Sequence, residues 1–207
     1  DHVRDYERRT GKKTMAVRKG YEMSSNYIFQ RLVKDNYASE PKKLIDNLYR
    51  YRLGEAFDFD LQGLATPVLP SPDSRYWTMT DLASVAIGYA VAETPLHILT
   101  FYNAIANKGR MMRPYIVESV EKDGKVIKKK GPSVLNGAVC SRAVADSLTS
   151  GLLSITSEGT AARLKDARLR VAGKTGTAWV YMDPTQASKT DPFKDREGRR
   201  KYQATFV

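Results

Sequence analysis

Two short stretches carry side chains whose types and spacing could do chemistry. The first is Val171-Ala172-Gly173-Lys174-Thr175-Gly176-Thr177-Ala178. Lys174 places a cation at a strand edge, Thr175 and Thr177 supply hydroxyls, and Gly176 lacks a side chain, so a ligand can lie against the backbone there. A strand of this kind can take an extended peptide as one further strand, and its outward N–H groups can hold an oxyanion. It can equally be an edge strand protected by a lysine. The second stretch is Ser24-Ser25-Asn26. Ser24 can relay a proton and Asn26 can both donate and accept hydrogen bonds. A pair of helix-capping residues would look the same.

The elements that must position these groups follow from periodicity and punctuation. Residues 14–34 have a helical rhythm, with Ser24 or Ser25 able to cap. Pro41 to Leu53 reads as a helix with proline near its start and Gly54 after its end. Gly63 to Tyr76, which holds Pro67, Pro70 and Pro72, reads as an extended surface loop. Thr80 to Gly88 is a short apolar helix capped by Thr80 or Asp81. Thr94-Pro95 opens another helix, which closes at Asn107-Lys108-Gly109. Asp123-Gly124 joins two β-rich runs and predicts a hairpin over Tyr115–Val120 and Lys125–Lys129. Ser141 to Ile155 reads as a helix, Arg168 to Gly173 as a strand, Thr185 to Lys201 as a charged, proline-containing flexible loop almost free of apolar anchors, and Tyr202 to Val207 as a strand. Without a regular alternation of strand and helix, the expected class is α+β, an antiparallel sheet with helices packed on it.

Composition excludes several alternatives. The chain has 207 residues, 42% hydrophobic and 28% charged, as in an ordinary globular domain. Cys140 is the one cysteine, so no internal disulfide or Cys-rich metal site can form, and its small and apolar neighbours place it in packing. The two histidines, His2 and His97, lie far apart with no ligand spacing, so no metal and no cofactor are expected. Neither GxGxxG nor a P-loop occurs. The net charge of +11 suits an anionic partner or a merely solvated surface. No nucleic-acid-binding motif accompanies it, and nucleic acid is not expected as a partner.

The two chemical stretches occur in the order Ser-x-Asn, then Lys-Thr-Gly. Between them lie Gly88-Tyr89-Ala90-Val91-Ala92-Glu93-Thr94-Pro95-Leu96, Ala104-Ile105-Ala106-Asn107-Lys108-Gly109 and Arg113-Pro114. This combination resembles the penicillin-binding protein transpeptidases, whose signature joins Ser-x-x-Lys, Ser-x-Asn and Lys-Thr-Gly. The intervening segment is similar to their G-x-G-x-x-x-T-P-L … A-x-A-N-x-G … P pattern. One departure is Tyr89-Ala90, where a second glycine is frequent. The likeness runs from about Val17 to Val207. It implies a class B, monofunctional, division-type enzyme with the penicillin-binding-protein/β-lactamase-like transpeptidase fold.

The resemblance implies roles for residues. Ser24 would pass a proton to the leaving amine, Asn26 would hold the substrate amide, and Lys174 would keep the site electropositive. Thr175 and Thr177 would bind the substrate carboxylate beside Gly176, with the Thr177 N–H as half of an oxyanion hole. Ser24, Asn26 and Lys174 are therefore expected to converge. The implied partners are peptidoglycan stem peptides ending in D-Ala-D-Ala, β-lactam antibiotics, a membrane glycosyltransferase, and divisome or elongasome proteins. The implied location is the outer side of the cell membrane behind a single anchor.

No nucleophilic Ser-x-x-Lys precedes Ser24, which is the first serine of the chain. Ser39-Glu40-Pro41-Lys42 contains a proline, and Ser119-Val120-Glu121-Lys122 falls in a predicted strand, whereas the pair needs one helical turn. Residues 1–207 are accordingly expected to be part of one transpeptidase domain, lacking the portion with the nucleophile and a final strand and helix. The competing reading is a β-lactam-sensing or catalytically inactive binding homologue.

Overall fold

Several helices begin at a capping residue or a proline, and three end in the same way. The computed structural model describes residues 14–183 and 185–207. The expected helical rhythm over 14–34 is two helices, α1 (Val17–Glu22) and α2 (Asn26–Tyr37), separated by Met23-Ser24-Ser25. Helix α3 (Pro41–Arg50) has its proline at the first turn. Helix α4 (Met79–Val85) starts earlier than expected: Thr78 precedes it, and the Asp81 carboxylate accepts from the Thr78 N–H at 2.7 Å and hydroxyl at 2.8 Å. Neither Thr80 nor Asp81 is the cap, because the reciprocal pair needs an acid three residues inside the helix. Helix α5 (Pro95–Ala106) opens at Thr94-Pro95, and the Thr94 hydroxyl accepts from the His97 N–H at 3.3 Å.

Helices α1, α3 and α5 each close with a pair of backbone bonds that return to the last turn. Ser24 N–H reaches Tyr21 C=O at 3.1 Å and Ser25 N–H reaches Gly20 C=O at 2.8 Å. The same pattern binds Arg52 to Tyr49 and Leu53 to Leu48, and again Lys108 to Ile105 and Gly109 to Ala104. These are Schellman closures, which put one residue in the left-handed region. Ser24, Arg52 and Lys108 occupy it at φ 54°, 61° and 59°, where glycine is usual. Gly109 follows at φ 92°, and a Cβ there would lie 2.2 Å from the Cys140 carbonyl oxygen.

Strand pairing is antiparallel throughout. Among the described residues it forms three two-stranded ladders rather than one continuous sheet. Strands β1 (Met111–Met112) and β4 (Val134–Asn136) pair with each other, and neither is long enough to announce itself by alternation. Strands β2 (Ser119–Lys122) and β3 (Lys125–Lys129) form the expected hairpin, with its first strand over 119–122 rather than over 115–120. Asp123 and Gly124 both have positive φ (52° and 74°), the geometry of a type I′ turn. Gly63 to Tyr76 is non-helical, with one isolated bridge, Val68 to Ala92. Ala104, Met111 and Val139 form a buried cluster, and Tyr51, Phe101, Leu135 and Cys140 pack against it. Cys140 is thus in packing, as its neighbours suggested.

His97 is a structural residue. It is 1% exposed and stacks on Phe57 at 3.9 Å. Its Nε2 lies 2.8 Å from the Glu55 carbonyl oxygen, which can only accept, so Nε2 carries the proton and Nδ1 accepts from the Thr94 hydroxyl at 2.6 Å. His2 lies outside the described residues. Among the described residues no group of His, Cys, Asp and Glu could hold a metal ion, and no helix is long and apolar enough to cross a membrane.

The chain divides into two compact units, one ending at Gly151 and the other spanning Leu152–Val207. Helix α6 (Arg142–Ser157) contains that boundary. In the second unit the expected strand over Arg168–Gly173 is absent, and β5 runs instead over Thr175–Trp179. The displacement has a local cause. Gly173 N–H bonds to Leu152 C=O at 3.3 Å, and Val171 C=O accepts from the Thr156 hydroxyl, so these residues lean on α6 instead of entering a ladder. Strand β6 (Tyr202–Phe206) pairs with β5 along its whole length. The charged segment 185–201 has one aromatic anchor. Phe193 packs on Tyr181 at 4.3 Å and on Trp179 at 5.8 Å, and Arg200 lies 3.8 Å over the Trp179 ring while donating to Asp191 at 3.0 Å. The class is α+β, as the pattern of elements implied.

Candidate active site

The first half of the candidate site is the turn between α1 and α2. Met23 ends α1, Ser24 takes the left-handed conformation, Ser25 is extended (φ −72°, ψ 108°), and Asn26 begins α2. Side chains of non-glycine residues at positive φ cost roughly 1–2 kcal/mol. That strain is not particular to Ser24, since Arg52 and Lys108 share it. What distinguishes Ser24 is that a helix restarts two residues later, so Ser24 and Asn26 are held on one rigid elbow.

Three contacts fix that elbow. Gly20 is buried, and a Cβ placed on it would lie 2.5 Å from Cγ1 of Ile28, so α1 and α2 meet at a point where no side chain fits. The Tyr21 ring meets the Phe29 ring edge-on at 6.2 Å and covers Gly151, whose Cβ would lie 2.7 Å from it. Burial raises the Tyr21 pKa, with the neighbouring Tyr102 adding to the effect. Glu22, 6% exposed, accepts from Arg18 Nε and Lys19 Nζ, each at 3.2 Å. Burial opposes its ionisation, but those two cations more than offset it and hold its pKa below the usual carboxylate range.

The second half is the start of β5. Lys174 N–H donates to Val207 C=O at 2.8 Å, and Val207 N–H returns to Lys174 C=O at 3.2 Å. Lys174 is therefore a hydrogen-bonded rung, and so are Gly176 and Ala178, opposite Thr205 and Gln203. The N–H and C=O groups of Thr175 and Thr177 must then face the opposite edge of β5, on which no other strand pairs among the described residues. Lys174 Nζ reaches back over this edge to donate to the Thr175 C=O at 2.8 Å, and burial lowers its pKa. The Thr175 hydroxyl pairs with that of Thr160 at 2.8 Å. The Thr177 side chain is exposed. Gly176 has a packing reason as well, since a Cβ there would lie 2.5 Å from the Thr205 hydroxyl oxygen.

The structure thus brings Ser24 together with Asn26 in the first unit, and Lys174 together with Thr175, Gly176 and Thr177 in the second. The two rejected serines stay rejected. Ser39 precedes α3, so it shares no helical turn with Lys42, and Ser119 and Lys122 stand on an exposed strand, where a spacing of three turns the side chains to opposite faces. Sequence reasoning missed Gly20. The available signal was a lone glycine inside a helical rhythm, which marks close approach of another element.

Comparison with known proteins gives a consistent family. The sequence profile described as "Penicillin binding protein transpeptidase domain" matches residues 1–193. Stage V sporulation protein D of Bacillus subtilis is 31% identical over 146 residues, 69% of this chain and 22% of that protein. Penicillin-binding protein H of the same organism is 30% identical over 164 residues, 76% of this chain and 22% of that protein. This chain therefore spans about a fifth of the length of the curated relatives it matches. Among solved structures, the D,D-transpeptidase domain of a peptidoglycan glycosyltransferase from Eggerthella lenta superposes with a TM-score of 0.67 at 26% identity, covering 79% of this chain and 42% of that one. Penicillin-binding protein 3 of Mycobacterium tuberculosis, solved with aztreonam, superposes with a TM-score of 0.73 at 24% identity, covering 91% of this chain and 40% of that one, and shares the fold.

Proposed function

Because the chain belongs to the penicillin-binding protein transpeptidase family, of the class B type, we propose that the protein containing it is a peptidoglycan D,D-transpeptidase of the division type, and that this chain is one part of its catalytic domain. The observation that carries the reading is the edge of β5. Lys174 stands at its first rung, and register turns the Thr177 N–H toward the side without a paired strand, where an oxyanion could be received.

In this reading the nucleophile is the serine of a Ser-x-x-Lys lying outside residues 1–207. That serine attacks the carbonyl carbon of the penultimate D-Ala, and its lysine takes the proton. The oxyanion accepts a hydrogen bond from the Thr177 N–H. As the tetrahedral intermediate collapses, the C–N bond breaks and the departing D-Ala amine takes a proton through Ser24. Asn26 holds the substrate amide, and Thr175 and Thr177 hold its carboxylate beside Gly176. The lowered pKa of Lys174 eases proton exchange with Ser24, which requires their convergence. The amine of a second stem peptide then attacks the acyl-enzyme carbonyl; the ester bond to the serine breaks, the serine oxygen takes up the proton the amine gives up, and the crosslink amide forms. A β-lactam enters by the same acylation and stays. The proposed setting is the outer face of the cell membrane, behind one anchoring helix, alongside a glycosyltransferase and division or elongation proteins.

Fluorescent penicillin tests the reading. The intact protein is expected to be labelled stoichiometrically, and residues 1–207 alone are expected to stay unlabelled. Acylation of the intact protein without any crosslinking of stem peptides would favour a β-lactam sensor, and absence of any acylation an inactive binding homologue. A crystal structure of the acylated intact protein checks the convergence. Ser24 Oγ should approach Lys174 Nζ to roughly 2.7–3.2 Å, and a separation beyond roughly 10 Å, far outside hydrogen-bond reach, ends the assignment of Ser24 as proton relay.

A further inference from the structure

We infer that Gly20 is a positioning residue for the reaction, which sets the placement of Ser24 and Asn26 without touching substrate. The inference rests on the proton-relay reading of Ser24 and goes beyond it to a residue outside every signature motif. Two independent features converge on Gly20. Its carbonyl oxygen accepts the Ser25 N–H at 2.8 Å, the outer bond of the closure that holds Ser24 at φ 54°. Its α-carbon is the contact point between α1 and α2: a Cβ would lie 2.5 Å from Cγ1, 2.9 Å from Cγ2 and 2.9 Å from Cβ of Ile28. Ile28 is two residues beyond Asn26 and inside the same helix.

The consequence is mechanical. Ile28 is β-branched, with little χ1 freedom in a helix, so its near carbons cannot swing aside. A methyl group at Gly20 must push α1 and α2 apart, and the lever arm from Ile28 to Asn26 is about half a turn of helix. The elbow carrying Ser24 and Asn26 then opens. Arg52 and Lys108 provide the contrast: in their closures the residue four positions earlier is Leu48 or Ala104, and each already carries a Cβ. A Schellman closure therefore needs no glycine at this position, and Gly20 answers to Ile28.

The test is a double-mutant cycle on the intact protein, reading penicillin acylation in stopped flow beside thermal unfolding. Gly20→Ala is expected to slow the acylation step about 10- to 100-fold, the cost of displacing a catalytic group by roughly 1 Å. The dissociation constant of the pre-acylation complex should rise as well, but by less than the acylation rate falls, because the displaced Asn26 holds the substrate amide in the ground state while Ser24 acts only in the transition state. Adding Ile28→Ala removes the two Cγ carbons that clash and leaves only Cβ at 2.9 Å, so it should relieve part of the loss and bring acylation to within about tenfold of Ile28→Ala alone, a coupling that independent sites lack. If Gly20→Ala does not fold by itself, the comparison of the double variant with Ile28→Ala carries the same expectation. Wild-type acylation by Gly20→Ala, or a loss that Ile28→Ala does not relieve, overturns the role of Gly20. Ser24→Ala separates the two levels: if it acylates at the wild-type rate, the relay reading falls and the role of Gly20 with it; if it is slow while Gly20→Ala is not, only the role of Gly20 falls.

Discussion

The two groups of candidate residues, one in each unit, are built on opposite principles. Ser24 and Asn26 sit on an elbow between two helices, at a residue held in a conformation that side chains disfavour, and their placement depends on a contact of α1 with α2 at Gly20. Lys174 to Thr177 sit on a regular ladder whose rungs repeat from Lys174–Val207 to Val180–Lys201. An elbow aims side chains in a direction that no single helix offers, but one methyl group can open it. A ladder fixes backbone direction by many small bonds, so its N–H groups point where register sends them. A proton relay needs a side chain aimed, and an oxyanion hole needs an N–H aimed, which matches each construction to the task proposed for it.

The largest expected effect tests whether both halves serve one reaction. In the intact protein Ser24→Ala and Lys174→Ala should each slow acylation by roughly 10²–10⁴-fold, the usual contribution of positioned proton transfer. Combined, they should cost much less than the product of the two, since groups acting as a unit are non-additive. A fully multiplicative loss would separate the halves functionally.

A smaller effect separates the constructions by stability. Gly173→Ala places a Cβ 2.3 Å from the Phe206 ring and 2.7 Å from the Val207 carbonyl oxygen, at the first rung. It should destabilise the second unit by about 1–3 kcal/mol, as overpacking does. Trp77 and Trp179 lie one in each unit, so single-tryptophan variants followed in urea should show the loss at Trp179 and not at Trp77.

Smaller still is the release of backbone strain. Ser24→Gly should stabilise the first unit by about 0.5–1 kcal/mol, the left-handed penalty less the extra entropy that glycine loses on folding. Arg52→Gly and Lys108→Gly should gain about as much, measured by the same urea titration. Of the three, Ser24→Gly alone should impair acylation. Equal activity in all three would show that the conformation at Ser24 is a helix end and nothing more.

The last effects are read against pH and have opposite signs in the two units. One carboxylate oxygen of Glu93 is buried without a hydrogen-bond partner, and burial raises its pKa from 4.5 to about 7. The folded chain then keeps a proton that the unfolded chain releases, so this stability is present below about pH 4.5 and is lost as pH rises to about 7. Lys174 behaves in the reverse sense. Its burial lowers the ammonium pKa, so the cost of burying the charge is present at neutral pH and is relieved as pH rises toward the ordinary value of 10.5. Urea midpoints at Trp77 should fall between pH 4.5 and 7, and those at Trp179 should rise in the alkaline range. Glu93→Gln and Lys174→Met should flatten the respective profiles.

What the sequence determined by itself was whatever depends on neighbours along the chain. Thr94-Pro95 starts a helix because proline fits its first turn, Asp123-Gly124 turns because both residues tolerate positive φ, and the order of Ser-x-Asn and Lys-Thr-Gly with the segment between them named the family. Only the tertiary structure decided where β5 begins, because Thr156 and Leu152 draw Val171 and Gly173 out of the ladder from positions earlier in the chain. It also decided that β1 and β4 pair, that Phe193 anchors a segment which reads as mostly charge, and that a rhythm over residues 14–34 breaks at Ser24. The last of these shows the physical reason most directly. Local preference disfavours a serine at positive φ, and the bonds to Tyr21 and Gly20 together with the packing of Gly20 on Ile28 outweigh that preference, through contacts that exist only once α1 and α2 have met.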